Sequence, residues 1–219
     1  MTRIHPYISK QGAGSRRIPT TAPSPERRLL TPMELAEWLQ EHSEEIADRW
    51  LLEVRSRAEE MDEEVLALVG DFLHLLTAFL APGMGAYRDQ VERLFQQASE
   101  LFGNLGAHRG QAAGEAVEEF QLLREVVLRF LHTHPPADGT ATVGLRDLLQ
   151  LNRLVDLGVT YASVGHTDTL FFDLFHGAGV SGQPTPELLA EAREQVAGLR
   201  SELDRLLVHE TANGAGRET

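Results

Sequence analysis

Apolar side chains recur three or four residues apart along most of this chain, and this spacing predicts helices rather than strands. We expect helices over about 31–60, 63–80, 87–101, 109–131, 143–175 and 185–210. No segment alternates convincingly between apolar and polar residues, so no sheet is expected. The predicted fold class is therefore all-α, a single bundle of about six helices.

Several residues mark where these helices begin and end. Thr31 is a predicted N-cap, with Pro32 at the first helical position and Glu34 closing a capping box. Asp62 is the expected cap of the second helix, which is apolar over much of its surface and should be central. The glycines of "FGNLG" (102–106) should end the third helix. The fifth helix is expected to kink near its internal glycines.

The last helix carries an apolar seam with alternating spacings of three and four, as in a coiled coil. The seam consists of Leu189, Ala192, Val196, Leu199, Leu203 and Leu206. About three heptads are marginal for a free coiled coil, which leaves two alternatives. The helix docks on its own bundle, or it pairs with a second copy across a dimer axis.

Charge divides the chain into a basic arm and an acidic body. The net charge is −13, yet residues 1–30 carry +5 from Arg3, Lys10, Arg16, Arg17, Arg27 and Arg28 against one acidic residue. The remainder carries −18, which repels phosphates, so we expect no nucleic-acid partner. The arm could contact an acidic protein surface or an anionic membrane surface. The alternative is a solvated tail.

These patterns give the predicted domain organisation. An extended arm rich in Pro, Gly and Arg (1–30) precedes the helical bundle (31–180), which an amphipathic helix (181–210) and a flexible tail (211–219) follow. The basic N-terminal residues lack a following apolar core, so no secretory signal is expected, and no run of about 18 uncharged apolar residues predicts a membrane span. We therefore expect a cytoplasmic location, with a peripheral position on a membrane complex as the alternative.

The stretch "YASVGHTDTLFFDLFHGAG" (161–179) is the most suggestive of chemistry. His166 and Asp173 share a helix face, but seven residues place them roughly 10 Å apart, too far for one metal ion. Asp173 and His176 are close enough in sequence to meet, and His176 suits the negative end of the helix dipole. We expect Phe171, Phe172 and Phe175 to fill the core.

The remaining candidate groups predict no catalytic, cofactor or metal site. Histidines 108, 132 and 134 flank the fourth helix without a recognisable third metal ligand. Glu119 and Arg124 are expected to form a buried polar contact. The chain has no cysteine, no Glu-x-x-His motif on its core helices, and no phosphate-binding or nucleophile-elbow motif. We therefore expect a non-enzymatic protein.

Two segments carry a family resemblance. "LAEWLQEHSEEIADRWLLEVR" (Leu35 to Arg55) and "HRGQAAGEAVEEFQLLREVVLRFL" (His108 to Leu131) resemble the N-terminal domain of RsbRD-type stressosome co-antagonists, over about residues 33–175. Similar domains precede the kinase core of many bacterial sensor histidine kinases. The resemblance implies a globin-like, all-helical sensory or docking module with no enzymatic activity and, in general, no haem. No kinase core or STAS-like sheet accompanies the resemblance in this sequence.

The sequence thus supports two functional hypotheses. The first is a protein-protein interaction module, a sensory or adaptor subunit of a bacterial signalling assembly that forms a homodimer or larger assembly. The alternative is an accessory structural subunit that stabilises a larger multi-protein complex, membrane-associated or not, through its arm. The predicted partner-binding residues are the six basic residues of the arm together with Leu189, Val196, Leu199, Leu203 and Leu206.

Overall fold

The computed structural model describes residues 28–57, 61–85, 88–136, 140–176 and 183–214, with side chains as far as 208. Seven α-helices occupy these ranges, which confirms the all-α prediction. They are α1 (Pro32–Glu41), α2 (Ser43–Arg57), α3 (Glu63–Ala78), α4 (Arg88–His108), α5 (Ala113–Thr133), α6 (Leu145–His176) and α7 (Pro186–Gly214), with a 3-10 helix at Pro82–Met84. One core of aromatic and aliphatic side chains joins all seven.

The first predicted helix is two helices, so the prediction of one continuous helix is wrong. Its start is as expected, because Thr31 caps α1 and forms the capping box with Glu34. The helix is interrupted at His42, whose backbone N–H turns back to the carbonyl oxygens of Gln40 and Trp38. The periodicity continues through this interruption because apolar residues spaced three or four apart are buried in both α1 and α2.

The predicted central position of the second helix is confirmed by α3. Asp62 caps it by accepting a hydrogen bond from the Glu64 backbone N–H. Its apolar residues are almost all buried, against α2 on one side and against α4 and α7 on the other. The segment Glu63–Met84 is long and apolar enough to cross a membrane, but 72% of its most apolar window is buried inside the bundle.

Close packing of α4 against α6 overturns the predicted break at "FGNLG". The helix α4 continues through these glycines to His108. A Cβ atom at Gly103 would lie 1.9 Å from the carbonyl oxygen of Ala162, and one at Gly165 would lie 2.1 Å from that of Glu100. Glycine therefore serves here to bring two helix backbones together. The helix α6 is likewise continuous through its internal glycines.

A minimal parallel sheet contradicts the expectation of no sheet. Strands β1 (Arg28–Leu29) and β2 (Ala141–Thr142) pair in parallel, and each has only two residues. Strands this short show no detectable alternation in sequence. The pairing is extended by the Leu30 backbone N–H, which donates to the Thr142 carbonyl oxygen, while the Leu30 side chain is buried.

The last helix docks on its own bundle, as the first of the two alternatives for the seam describes. Leu189, Val196, Leu199 and Leu203 are buried in the core, and Ala192 and Leu206 pack partly buried against it. The helix α7 lies against α3 and α4, and Arg193 forms an ion pair with Glu64 at 2.9 Å. The seam is therefore covered by the same chain.

Candidate functional site

The C-terminal end of α6 carries the largest group of bulky apolar side chains that the described residues leave exposed. Four of them occupy five consecutive positions, and we call this group the α6 tip: Phe171 (54% exposed), Phe172 (63%), Leu174 (75%) and Phe175 (82%). Large apolar side chains rarely remain solvent-exposed in a cluster unless the cluster contacts something. The prediction that the three phenylalanines fill the core is therefore wrong.

The α6 tip is exposed because α6 extends beyond the ends of the helices that pack against it. Helix α4 runs beside α6, with Gly103 against Ala162 and a 3.1 Å hydrogen bond between the side chains of Asn104 and Thr169. One turn after Asn104, α4 ends at His108. The next helix, α5, begins near the level of His166. The last turns of α6 therefore have no helix alongside them in the described part of the chain.

The tip is ordered by contacts among its own rings. The rings of Phe171 and Phe175 stack with their centroids 6.5 Å apart, one helical turn from each other. His176 stacks on Phe172 at 4.1 Å, and its Nδ1–H donates to the Phe172 carbonyl oxygen. This bond satisfies a carbonyl at the helix end, in line with the expected role of His176. No bond to Asp173 is seen, so the expected meeting of these two residues does not occur.

Acidic side chains lie within and beside the α6 tip. Asp168 is exposed one turn before Phe172, and Asp173 is half-buried between Phe172 and Leu174. In a body with a charge of −18, these carboxylates add negative charge around the aromatic surface. Such a surface favours a partner with apolar and basic side chains.

A buried polar network lies where α2, α5 and the connection between α4 and α5 meet. Arg109 and Glu119 form an ion pair at 3.1 Å, with side chains only 7% and 10% exposed. Gln111 donates its amide N–H to Glu119 at 2.7 Å, and Trp50 donates to the Glu119 backbone carbonyl. The predicted contact between Glu119 and Arg124 is therefore wrong.

The reason is geometric, because each of the two residues has a closer partner of opposite charge. Arg124 lies five residues further along α5 and pairs with Asp156 on α6. Residues five apart on a helix point in different directions, so one pair faces the interior and the other faces the surface. Arg109 precedes α5 in the connection from α4, and spacing along one helix does not reveal such a partner.

His166 belongs to the same buried network. It is fully buried, and its Nε2–H donates to the backbone carbonyl oxygen of Gln111 at 2.7 Å. Its Nδ1 has no hydrogen-bond partner among the described residues. His166 therefore ties α6 to the connection between α4 and α5, and it is too deep and too far from Asp173 to share an ion with it.

A cleft of about 670 Å³ opens beside this network. Its charged lining consists of Arg57, Asp62, Arg109, Glu115, Glu118 and Glu119. Most of these groups already have structural partners: Asp62 caps α3, Glu115 accepts from the Ala112 N–H, and Arg109 is paired with Glu119. The cleft consequently presents few polar groups that are free to bind a ligand.

The histidines of the described ranges do not assemble a three-residue metal site with acidic neighbours. His74 contacts two carboxylates, with Nδ1 3.0 Å from Glu44 and Nε2 3.2 Å from Asp48. Since the two carboxylates occupy opposite nitrogens of one ring, they cannot bind one ion together with it. His134, however, lies close to His42, the residue that follows α1, and sequence spacing alone does not reveal this.

The predicted partner-binding residues fall into three groups. Arg3, Lys10, Arg16, Arg17 and Arg27 lie outside the described residues. Arg28 is described, and it donates two hydrogen bonds to the Glu34 carboxylate, at 2.6 and 2.8 Å. These bonds and that from the Thr31 backbone N–H lower the pKa of Glu34 to about 2. Of the seam residues, Leu189, Val196, Leu199 and Leu203 are buried against their own bundle, and Leu206 is half-buried.

Comparison of the chain with protein-family models, curated proteins and solved structures finds no match. The resemblance to the RsbRD-type domain therefore stays a prediction. Any function must accordingly be inferred from the exposed and buried groups of this structure.

Proposed function

We propose that this protein is a non-enzymatic interaction module, a sensory or adaptor subunit of a bacterial signalling assembly, and that the α6 tip is its contact surface. The observation that supports this is the exposure of Phe171, Phe172, Leu174 and Phe175 on the last turns of a helix whose preceding turns are packed on α4. Aromatic side chains dominate the energetics of protein interfaces, because they bury a large area with few rotatable bonds.

The occupant that fits this surface is another protein with an apolar groove and a basic rim. Two copies of this chain meeting at the α6 tip would bring Asp168 and Asp173 of one copy towards those of the other. Like charges that face each other across an interface oppose association, and each copy also carries a net charge of −13. A basic partner removes both penalties.

Site-specific photo-crosslinking tests the proposal. A photo-reactive amino acid replaces Phe175 in the full-length chain, and a matched control carries it at Leu149, which is 53% exposed near the other end of α6. We expect one defined heterologous product from position 175 and none from position 149. The product should disappear when Phe171→Ser and Leu174→Ser are added.

Three outcomes contradict this proposal in different ways. Equal products from positions 175 and 149 would show that capture is not specific to the tip. A product of twice the chain mass from position 175 would identify a second copy as the occupant. Persistence of the product in the double serine variant, with its helicity unchanged by circular dichroism, would remove the aromatic surface from the interaction.

The alternative, an accessory structural subunit that binds through its arm, is favoured by one observation. Arg28 is held by Glu34 and by pairing with β2, and Leu30 is buried, so the described part of the chain begins at a point that is fixed on the bundle. A deletion that tests the arm should therefore stop at residue 27, since removing 28–30 also damages the bundle. If deletion of residues 1–27 abolishes both complex formation and the crosslink from position 175, while the α6 tip is unchanged, the alternative is favoured.

A further inference from the structure

Two histidines from distant parts of the chain approach each other at one corner of the bundle. His42 is the residue between α1 and α2, and His134 directly follows α5. Their ring centroids are 6.2 Å apart with the planes tilted by 44°. Both residues reach solvent, since His42 is half-buried and His134 is exposed. Neither contributes to the α6 tip or to the buried network around Glu119.

The hydrogen bonds of each ring determine which nitrogen carries the proton. Nδ1 of His42 is 2.9 Å from the Trp38 carbonyl oxygen, and a carbonyl only accepts, so Nδ1–H is the donor. The Thr133 hydroxyl has one proton; when it donates to the carbonyl oxygen of Arg129 or Phe130, its oxygen accepts from Nδ1–H of His134 at 3.0 Å, and we adopt this arrangement because it pairs the hydroxyl, the carbonyl and Nδ1 together. In both neutral rings, the lone pair is therefore on Nε2.

Neither Nε2 atom has a hydrogen-bond partner among the described residues. An imidazole whose Nδ1–H donates to a protein oxygen while Nε2 stays free is the form that binds metal ions, because the outer bond holds the tautomer and the ring orientation. Aromatic contacts hold the two rings further. His42 stacks on Trp38 at 4.7 Å, and His134 stacks on Phe130 at 4.3 Å.

The separation of the rings agrees with a shared ion. A metal–nitrogen bond of about 2.1 Å places the ion roughly 3.2 Å from each ring centre, so two coordinated rings have centres roughly 5 to 6.5 Å apart as the angle at the metal opens from tetrahedral to linear. The observed 6.2 Å lies within this range. Imidazole nitrogens select zinc, copper and nickel rather than magnesium or calcium, and copper(II) binds most tightly.

We propose that His42 and His134 bind one divalent transition-metal ion, Zn²⁺ or Cu²⁺, through their Nε2 atoms, with solvent completing the coordination. The ion joins the α1–α2 corner to the end of α5. Because only the folded chain brings the two rings together, binding stabilises the fold increasingly as the metal concentration rises. The proposal is independent of the α6 tip.

Two measurements on the full-length, metal-free protein test this site. Thermal unfolding is followed with and without Zn²⁺, and electron paramagnetic resonance is recorded after adding one equivalent of Cu²⁺. His42→Phe and His134→Phe keep the stacked rings but remove the nitrogens. His132→Phe is the matched control, since His132 is exposed on the same helix two residues from His134.

The wild type and His132→Phe should show a Zn²⁺-dependent rise in Tm of a few degrees and the hyperfine pattern of two nitrogen ligands. Each of the other two variants should lose the rise in Tm and show at most one nitrogen. Retention of both signals in His134→Phe would overturn the proposal, and so would Zn²⁺-induced dimers in size-exclusion chromatography with light scattering. If His42→Phe does not fold, the signals of His134→Phe alone decide the outcome, because His134 is exposed.

Discussion

Gly103 allows α4 and α6 to approach to backbone contact, and replacing it with alanine is a direct test of the bundle. The new Cβ would lie 1.9 Å from the Ala162 carbonyl oxygen, whereas carbon–oxygen contacts need about 3.3 Å or more. Alanine gains about 1 kcal/mol over glycine in a helix interior. Forcing two packed helices apart costs more than this, because the neighbouring layers of the core lose contact together. An overpacking cost of about 3 kcal/mol less this gain leaves an expected net loss of about 2 kcal/mol.

Gly198→Ala is the matched control, because Gly198 is also inside a helix but a Cβ atom added there would meet no other atom within 4 Å. It should show the helix-propensity gain alone, about 1 kcal/mol. In a chain of this length, the two changes correspond to a fall in Tm of about 4–8 °C for Gly103→Ala and a rise of about 2–4 °C for Gly198→Ala.

Differential scanning calorimetry and urea unfolding measure both variants. If Gly103→Ala stabilises the protein as Gly198→Ala does, α4 and α6 are not in backbone contact at this point, and the expected clash is refuted. A fall in Tm for both variants would instead show that α7 is packed at Gly198 by something outside the described contacts.

Three further outcomes follow from the buried and charged groups. Glu119→Gln leaves the Arg109 guanidinium buried without its counter-charge and should cost about 3 kcal/mol in urea unfolding; a change below about 0.5 kcal/mol would contradict the burial of the pair. Leu203→Ala should cost about 2–5 kcal/mol at every protein concentration; a concentration-dependent loss would indicate that α7 packs between copies. The pKa of Glu34 is lowered from 4.5 to about 2, so the stabilising contribution of its carboxylate is complete above pH 4.5 and is lost as the pH falls through about 2. The unfolding free energy of a Glu34→Gln variant should therefore converge with that of the wild type near pH 2. A constant difference between the two from pH 6 to pH 2 would refute the Arg28 contact.

Local signals were readable from the sequence where a few neighbouring residues decide the structure. The capping box of Thr31 and Glu34 and the cap at Asp62 were predicted and confirmed, because a cap is satisfied within one helical turn. The central place of α3 followed from apolar residues over much of its surface. The interruption at His42 was not predictable in this way, since the apolar period runs through it without a change.

Predictions about individual sites failed where the deciding partner is distant in sequence. The phenylalanines of the α6 tip have the composition of core residues, and only the end of α4 at His108 leaves them exposed. Glu119 pairs with Arg109 rather than with Arg124, because the connection between α4 and α5 brings Arg109 against α5. The approach of His42 to His134 likewise depends on how α1 lies against α5.

The sequence by itself determined the helical fold class, most helix starts and the acidic charge of the body, because helix periodicity, capping and charge are properties of neighbouring residues. Tertiary structure alone decided which apolar surfaces are covered. It buried the seam of α7 in its own bundle, joined α4 to α6 through their glycines and left the end of α6 uncovered. The physical reason is that the burial of a side chain depends on where the neighbouring helices end. The sequence of one helix specifies its own length but not the length of its neighbours.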